Sequence, residues 1–341
     1  MQDVNRARAA GSTGGALQDR APLAKRAAAS LTSAVQTLPT GYSFRPGRTS
    51  DAEALRTLVF GCLREYGLTP SPEGTDADLG EVERHYTEAG GWFEVLLNTE
   101  QSIVGSVGLL PVRPGTLELR KMYLAESHRG RGLGRALLER ALTEARRRGA
   151  VRVTLETATV LQEALRLYER AGFRRQPFAP HVCRCDVVME LELPLERTHD
   201  GFTISTDLRR FNLAQVHALI TATYWAAGIP EDTVARSLAG SLCFGLLHGP
   251  DQIGLARVVT DRATYAYLCD VIIAEPFRGR GLGRWLMETV MAHPDLAGVR
   301  RFQLVTGDLH PLYAQFGFKP SDNPAGHMEL RRPDIYRKAG G

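Results

Sequence analysis

Arg129-Gly130-Arg131-Gly132-Leu133-Gly134 and Arg278-Gly279-Arg280-Gly281-Leu282-Gly283 are the same hexapeptide, written twice in a chain of 341 residues. Each copy runs on into a further arginine, Arg135 or Arg284, and then into a stretch of helical periodicity. Each follows a run of β-type residues. A glycine-rich turn between a strand and a helix leaves backbone N–H groups unshielded, because glycine accepts unusual backbone angles and lets a ligand approach closely. The first N–H groups of the helix have no intrahelical partner and carry partial positive charge. Together these features form a seat for a diphosphate, with Arg129, Arg131, Arg135, Arg278, Arg280 and Arg284 adding formal charge around it.

Three ligand classes compete for such a seat. A dinucleotide site needs Gly-x-Gly-x-x-Gly on the first strand–helix turn, with an acidic residue about 20 residues on. Here the glycines are spaced Gly-x-Gly-x-Gly and follow the fourth strand of the unit. A nucleoside-triphosphate loop ends in Gly-Lys-Ser/Thr, which neither copy has. The remaining reading is coenzyme A.

The order of elements repeats around the two turns. In the first unit, which begins near Tyr42, Ser50 or Asp51 caps a helix carrying Leu55, Leu58, Val59 and Leu63. A second helix is expected from Thr75, Asp76 and Asp78 toward Tyr86, ended by Gly90-Gly91. Strands follow at 92–97, 103–110 and 117–124. Beyond the turn come a helix ending at Gly149, a strand at 151–157, a helix at 161–170 and a strand around 185–193. In the second unit strands are expected at 202–205, 242–247, 253–259, 265–273 and 302–306, and helices at 213–225, 231–238 and around Leu312 and Tyr313. The stretch 194–201 reads as a short linker.

Downstream of each turn stands a second repeated signature, Leu167-Tyr168-Glu169-Arg170-Ala171-Gly172-Phe173 and Leu312-Tyr313-Ala314-Gln315-Phe316-Gly317-Phe318. With Arg129, Gly132 and Gly134, and Arg278, Gly281 and Gly283, these residues make each half resemble a GNAT-family N-acetyltransferase. The resemblance runs from Tyr42 to about Arg332. It implies an α/β (mixed α+β) chain of two GNAT folds in tandem, each a mixed, splayed β-sheet flanked by helices. The expected organisation is a leader at 1–40, an N-terminal GNAT domain at 41–194 and a C-terminal one at 195–341.

The resemblance also implies the chemistry. Acetyl-CoA would serve as acetyl donor, with no metal, and its diphosphate would sit on 129–135 and 278–284. Its pantetheine arm would lie along exposed backbone at Met122 and Leu124, or Val271 and Ile273. The thioester carbonyl would be polarised by a strand N–H, and a primary amine of a small molecule or peptide would attack it directly. Tyr168 and Tyr313 stand where the family's acid tyrosine lies; the alternative is that each ring only packs under the cofactor helix. Glu118 and Asp270 are candidate bases, with an ion pair as the alternative for each. They are not equivalents, because Asp270 aligns with Lys121. Asp308 and His310 form a further pair beside Tyr313.

Substrate selection in this architecture falls to the first two helices and their connection. In the first half that region holds Glu73, Asp76, Asp78 and Glu81, whose charge would attract a cationic amine. In the second half it holds 224–230, an aromatic and apolar stretch. One half could be catalytic and the other a regulatory or structural module that binds coenzyme A. A non-enzymatic acyl-CoA sensor is the reading from outside enzymology, and oligomeric state is left open.

Composition bounds the rest. Hydrophobic residues make up 43% and charged residues 23%, the balance of an ordinary globular chain. The five cysteines, Cys62, Cys183, Cys185, Cys243 and Cys269, are scattered and odd in number, which argues against a disulfide framework and for a reducing, cytoplasmic compartment. Cys183 and Cys185 read as strand residues on one face. The net charge is +4, and the basic excess lies in the first 40 residues, so the folded part is nearly neutral. No nucleic-acid partner is expected from it. No apolar run is long enough to span a bilayer, so no membrane partner is expected.

Overall fold

The computed structural model describes residues 38–332, 335 and 336; most of the expected leader lies outside the described residues. The chain builds two sheets in succession. The first contains β1 (Ser43–Pro46), β2 (Trp92–Leu97), β3 (Ile103–Arg113), β4 (Thr116–Leu124), β5 (Arg152–Thr157), β6 (Arg174–Gln176) and β7 (Val187–Glu192), in the order β1-β2-β3-β4-β5-β7-β6. The second contains β8 (Glu196–His199), β9 (Phe202–Ser205), β10 (Leu242–His248), β11 (Asp251–Thr260), β12 (Tyr265–Ile273) and β13 (Arg301–Leu304), in the order β13-β12-β11-β10-β9-β8. Each sheet is antiparallel except at one place, β4 beside β5 and β12 beside β13. A helix crosses over at that place, because parallel neighbours need a long connection.

Helices cover both faces of each sheet. In the first half, α1 (Ala52–Glu65) buries Leu55, Val59 and Leu63 with Val95 and Tyr86 on one face. On the other, α2 (Leu133–Arg147) buries Leu137, Leu138, Ala141 and Ala145 against Leu109, Leu119 and Val153. The i, i+4, i+8 spacing of those apolar positions makes the stripe a sheet-packed helix needs. A third helix, α3 (Gln162–Ala171), ends at Gly172 in the left-handed conformation (φ 100°). The second half repeats the plan. Its α4 (Leu213–Thr221) and α5 (Glu231–Ala239) pack around Leu255 and Ile272, and α6 (Leu282–Met291) packs around Phe244 and Leu268. A short α7 (His310–Ala314) carries Tyr313.

Several expectations are corrected. The segment from Thr75 to Tyr86 is not one helix but a 3-10 turn at Ala77–Gly80 and a single π turn at Glu83–Thr87. Asp76 and Asp78 are pulled inward to buried cations, which a regular helix would not permit for both. The expected linker contains β8, which forms a hairpin with β9 through Asp200 and Gly201 (φ 48° and 80°). Two left-handed central residues make the tight turn that suits strand twist. The helix from Leu213 stops at Thr221, short of Trp225. Cys183 and Cys185 lie in a turn ahead of β7, not in a strand. The second half has no counterpart of β6 and β7 among the described residues, so β13 is an edge strand.

The two halves also touch. Pro294, after α6, fills the space beside Gly115 in the β3–β4 turn, where a Cβ would lie 2.3 Å from it. Arg152 at the start of β5 donates to both oxygens of Asp295 at 2.9 and 3.3 Å. Arg262 pairs with Glu192 at 2.5 Å. His293 is buried and accepts from the Asp295 backbone N–H at 3.3 Å.

Candidate active site

Gly132 and Gly281 cap α2 and α6 in the left-handed conformation (φ 79° and 76°), and Gly130 and Gly279 share it (φ 75° and 74°). This backbone costs a residue with a Cβ about 1–2 kcal/mol. A Cβ placed on any of the four meets nothing within 4 Å, so the space above both turns is open. Ala136 and Trp285 are the first residues to bond back, to the Gly132 and Gly281 carbonyls at 3.0 and 3.1 Å. The N–H groups of Leu133, Gly134 and Arg135, and of Leu282, Gly283 and Arg284, therefore face outward from the helix ends without intrahelical acceptors.

The arginines are less free than the sequence implies. Arg129 donates its Nε to the Leu124 carbonyl at 3.1 Å and closes its fork on Glu65, with one contact at 2.8 Å. Arg278 makes the same backbone bond, to Ile273 at 3.0 Å. Arg135 pairs with Glu139 at 2.6 Å and Arg284 with Glu288 at 3.0 Å. Arg131 donates to Tyr42 Oη at 3.2 Å, and Arg280 lies over the Phe277 ring.

The strands in front of these turns separate. β4 pairs with β5 only from Thr116 to Glu118, then runs on alone to Leu124. β12 pairs with β13 from Tyr265 to Leu268, then runs on alone to Ile273. Opposite the free stretch, the ladder with the preceding strand is interrupted by a bulge, between Ser106 and Gly108 and between Leu255 and Arg257. Lys121 and Asp270 sit at these bulges in the left-handed conformation, φ 50° and 51°. Ala125 bonds to Val104 across the ladder at 2.9 Å, and Ala274 to Ile253 at 2.8 Å. By strand alternation the peptide groups of Leu124 and Met122, and of Ile273 and Val271, turn away from that ladder into the gap.

In the first half the gap opens into a cavity of about 330 Å³. Glu118, Met122, Leu124, Arg129, Gly130, Gly134 and Tyr168 all line it, so residues named from distant parts of the sequence converge there. Tyr168 is buried, packs on Phe173 and directs its hydroxyl toward Met122 Sδ at 3.9 Å. Burial pushes the phenol well above its ordinary range, so it is protonated at any working pH. Burial also raises Glu118; Arg120 opposes that only in part and Glu156 adds to it. Glu156 itself is occupied, accepting from the His181 and Val182 N–H groups at 2.8 and 2.9 Å.

The acidic residues expected to draw a cationic amine do something else. Asp76 is fully buried and accepts from Lys121 Nζ at 2.7 Å and from both ends of the Arg184 fork at 2.7 and 2.8 Å. Burial alone would raise its carboxyl, but the bonds from Arg184 and Lys121 outweigh it and hold it at about 2. Asp78 lies 3.2 Å from Lys121 Nζ and accepts from Tyr86 Oη at 2.8 Å. Both charges are thus spent inside the wall of the cavity. Glu73 and Glu81 are not among the residues that line it. The sequence reading missed Lys121, Arg184 and Glu156 as wall-forming groups. The one available signal was Lys121, a cation at a position where the polar–apolar alternation of Glu118, Leu119 and Arg120 calls for an apolar residue.

The corresponding place in the second half is built with inverted charge. Asp270, at the bulge, accepts from Arg257 Nε at 2.7 Å and Trp225 Nε1 at 3.2 Å, so both its oxygens are engaged. Trp225 stands edge-on to Tyr224, which is largely exposed. Tyr313 is buried beside Phe318, and burial, helped by Asp308, raises its phenol. Asp308 and His310 are both exposed. Among the described residues no group of three or more His, Cys, Asp or Glu side chains is arranged to hold a metal, and no helix is long and apolar enough to cross a membrane.

The two halves match known families separately. The acetyltransferase (GNAT) family model matches residues 59–173, and a model of the acetyltransferase (GNAT) domain matches residues 239–320. An uncharacterized N-acetyltransferase of Escherichia coli, YjgM, is 36% identical over 152 residues, covering 42% of this chain and 90% of the relative. Human N-acetyltransferase 8B is 34% identical over 104 residues, 29% of this chain and 45% of the relative. A crystal structure of a GNAT-family protein from Xanthomonas campestris is 42% identical, covers 41% of this chain and all of its own, and superposes with a TM-score of 0.40. The chain belongs to the GNAT family of acetyltransferases. It is an N-acyltransferase built as two GNAT folds in tandem.

Proposed function

We propose that the first half catalyses transfer of an acetyl group from acetyl-CoA to a primary amine of a small molecule or peptide, by direct attack on the thioester. The observation that carries this is the single cavity onto which Glu118, Tyr168, the free edge of β4 and the glycine turn all open. We also propose that the second half, with an equally open glycine turn but with Asp270 tied to Arg257 and Trp225, binds coenzyme A without being the main catalytic site. The domain limits 41–194 and 195–341 belong to the same reading, as does a reducing, cytoplasmic compartment suited to five free cysteines.

The residues suit such a donor. Six outward N–H groups at two helix ends, and glycine turns with nothing above them, fit a diphosphate. The peptide groups of Met122 and the N–H of Leu124, which turn toward the gap, fit the amides of a pantetheine arm; the Leu124 carbonyl is taken by Arg129. When bound, acetyl-CoA supplies an activated acyl group. Glu118, whose carboxyl burial raises above its ordinary value, takes a proton at its carboxylate from the substrate ammonium, and the amine so freed attacks the thioester carbonyl. Tyr168 Oη, protonated throughout, gives its proton to the departing sulfur. Acid–base help of this kind is worth about 10²–10⁴-fold in rate. An N–H of β4 facing the gap stabilises charge on the carbonyl oxygen.

A mass-spectrometric screen of acetyl transfer to a panel of amines tests the proposal, run on the full chain and on Gly132 and Gly281 variants. Transfer abolished by the first variant and retained by the second is expected. Binding of coenzyme A without transfer to any amine would favour the sensor reading instead.

A further inference from the structure

Seven charged side chains line the first-half cavity, and five of them have close partners. Lys121 is held by Asp76, Arg184 by Asp76, and Arg129 by Glu65. Glu156 accepts from His181 and Val182, and Glu163 accepts from Tyr66 Oη at 3.2 Å. The remaining two are Glu118 and Arg120. Arg120 makes no hydrogen bond to any described residue, and the nearest carboxylate oxygen, Glu118 Oε2, is 3.8 Å from its Nε. Its side chain is only 23% exposed. A guanidinium kept so far out of water without a hydrogen-bonded acceptor is costly, and its position on the cavity wall supplies a reason for it.

Resting on the acetyltransfer reading of this site, we infer that the acceptor is a small molecule carrying a carboxylate close to its amine, of the α-amino acid type, with Arg120 receiving the carboxylate and Glu118 facing the amine. Strand alternation places the two side chains on the same face of β4, two residues apart. The flat fork of arginine matches the two oxygens of a carboxylate. The short distance between the two groups sets the geometry. A ligand that satisfies both must hold its positive and negative ends within a few bonds of each other. A long diamine has no group for Arg120, and a carboxylate many bonds from the amine reaches past it. The buried acids Asp76 and Asp78, already neutralised by Lys121 and Arg184, leave no surplus negative charge in this part of the wall to favour a polycation.

The test uses matched pairs of acceptors on the full chain with acetyl-CoA: phenylalanine and phenethylamine, leucine and isoamylamine, alanine and ethylamine. The readout is the ratio of kcat/KM for the amino acid to that for its decarboxylated partner. Wild type is expected to prefer the amino acid by about 10–100-fold, the value of hydrogen bonds to a charged group. Arg120→Met is expected to bring the ratio close to one, and Arg120→Lys to leave it in between. A merely structural role for Arg120 would lower both rates and leave the ratio as it was, which would overturn the inference. So would a ratio near one in wild type, with acetyltransfer itself intact. Preference for an α-aminophosphonic acid over the α-amino acid would overturn the carboxylate assignment. If no amine of either kind is acetylated, the acetyltransfer reading fails, and the carboxylate seat is read by calorimetry with N-acetylphenylalanine. Binding to wild type that is lost in Arg120→Met retains the seat, and equal or absent binding removes it.

Discussion

Lys121 and Asp270 occupy the same bulge in the two halves, with the same left-handed backbone (φ 50° and 51°). Their surroundings are opposite. Lys121 reaches into a buried pair of carboxylates that, with Arg184, stiffen the wall of a cavity. Asp270 is capped by an arginine from the neighbouring strand and an indole from the loop after α4. Backbone geometry has been kept while side-chain chemistry has been exchanged. On the proposed reading, the glycine turn, the bulge and the splay serve a ligand that contacts peptide groups, which a change of side-chain charge leaves undisturbed. On the same reading the wall serves a second ligand that contacts side chains, and there the halves differ.

The contrast breaks most easily at the tyrosines. Tyr168→Phe is expected to lower acetyl transfer by about 10²–10⁴-fold, while Tyr313→Phe leaves it within a few-fold. Small and equal losses in the two variants would mean that both halves turn over. Glu118→Gln comes next, with a loss of about 10²-fold expected for a missing general base. Its pH profile carries the sign. Burial raises the Glu118 carboxyl, so the catalytically competent carboxylate is lost as pH falls through a value above the ordinary carboxylate range. In wild type, activity declines on that acidic side; in Glu118→Gln that limb is gone. A persisting acidic limb would move the base elsewhere.

The glycines give the third contrast. Gly132→Val forces a β-branched residue into a left-handed cap, and a penalty of about 1–2 kcal/mol together with a bulkier turn is expected to weaken coenzyme A binding to the first half by about 10–100-fold. Gly281→Val is expected to do the same to the second half alone. Titration calorimetry on each variant reads one weakened and one intact site; two intact sites would remove the diphosphate seats. The smallest contrast lies in stability. Lys121→Met leaves Asp78 without its cation and Asp76 with only Arg184, a loss of about 3 kcal/mol by analogy with broken buried pairs. Asp270→Asn keeps an acceptor for Trp225 and weakens one partner of Arg257, for about 1–2 kcal/mol. Urea melts of the two variants measure the difference, and equal midpoints would mean that the two bulges are braced alike.

Much of this was legible in the sequence, and for one reason: repetition. The strands at 92–97, 202–205 and 265–273 fall where their apolar runs placed them, and the two glycine turns sit at the helix starts they announce. The failures share a cause as well. The stretch from Thr75 to Tyr86 resembles a helix locally because the neutralising partners of Asp76, Lys121 and Arg184, are 45 and 108 residues away. Local pattern cannot report an ion pair of that span. The strand β8 resembles a linker in sequence although Asp200-Gly201 is a hairpin signal; its four residues are all exposed, so no alternation of burial marks it. Arg120 could be named but not weighed, because the meaning of a cation depends on what does not touch it.

The contact between Pro294 and Gly115, with Arg152 on Asp295, lies at the root of the fork between β4 and β5. Two strands tied at one end and free at the other behave as a cantilever: the stiffness of the clamp sets how far the tips can spread. Asp295 stands a few residues past the end of α6, whose other end is the second glycine turn. The second half therefore supplies part of the hinge on which the first half's cleft is hung, and cutting the chain between the halves would loosen a joint that lies outside either glycine turn.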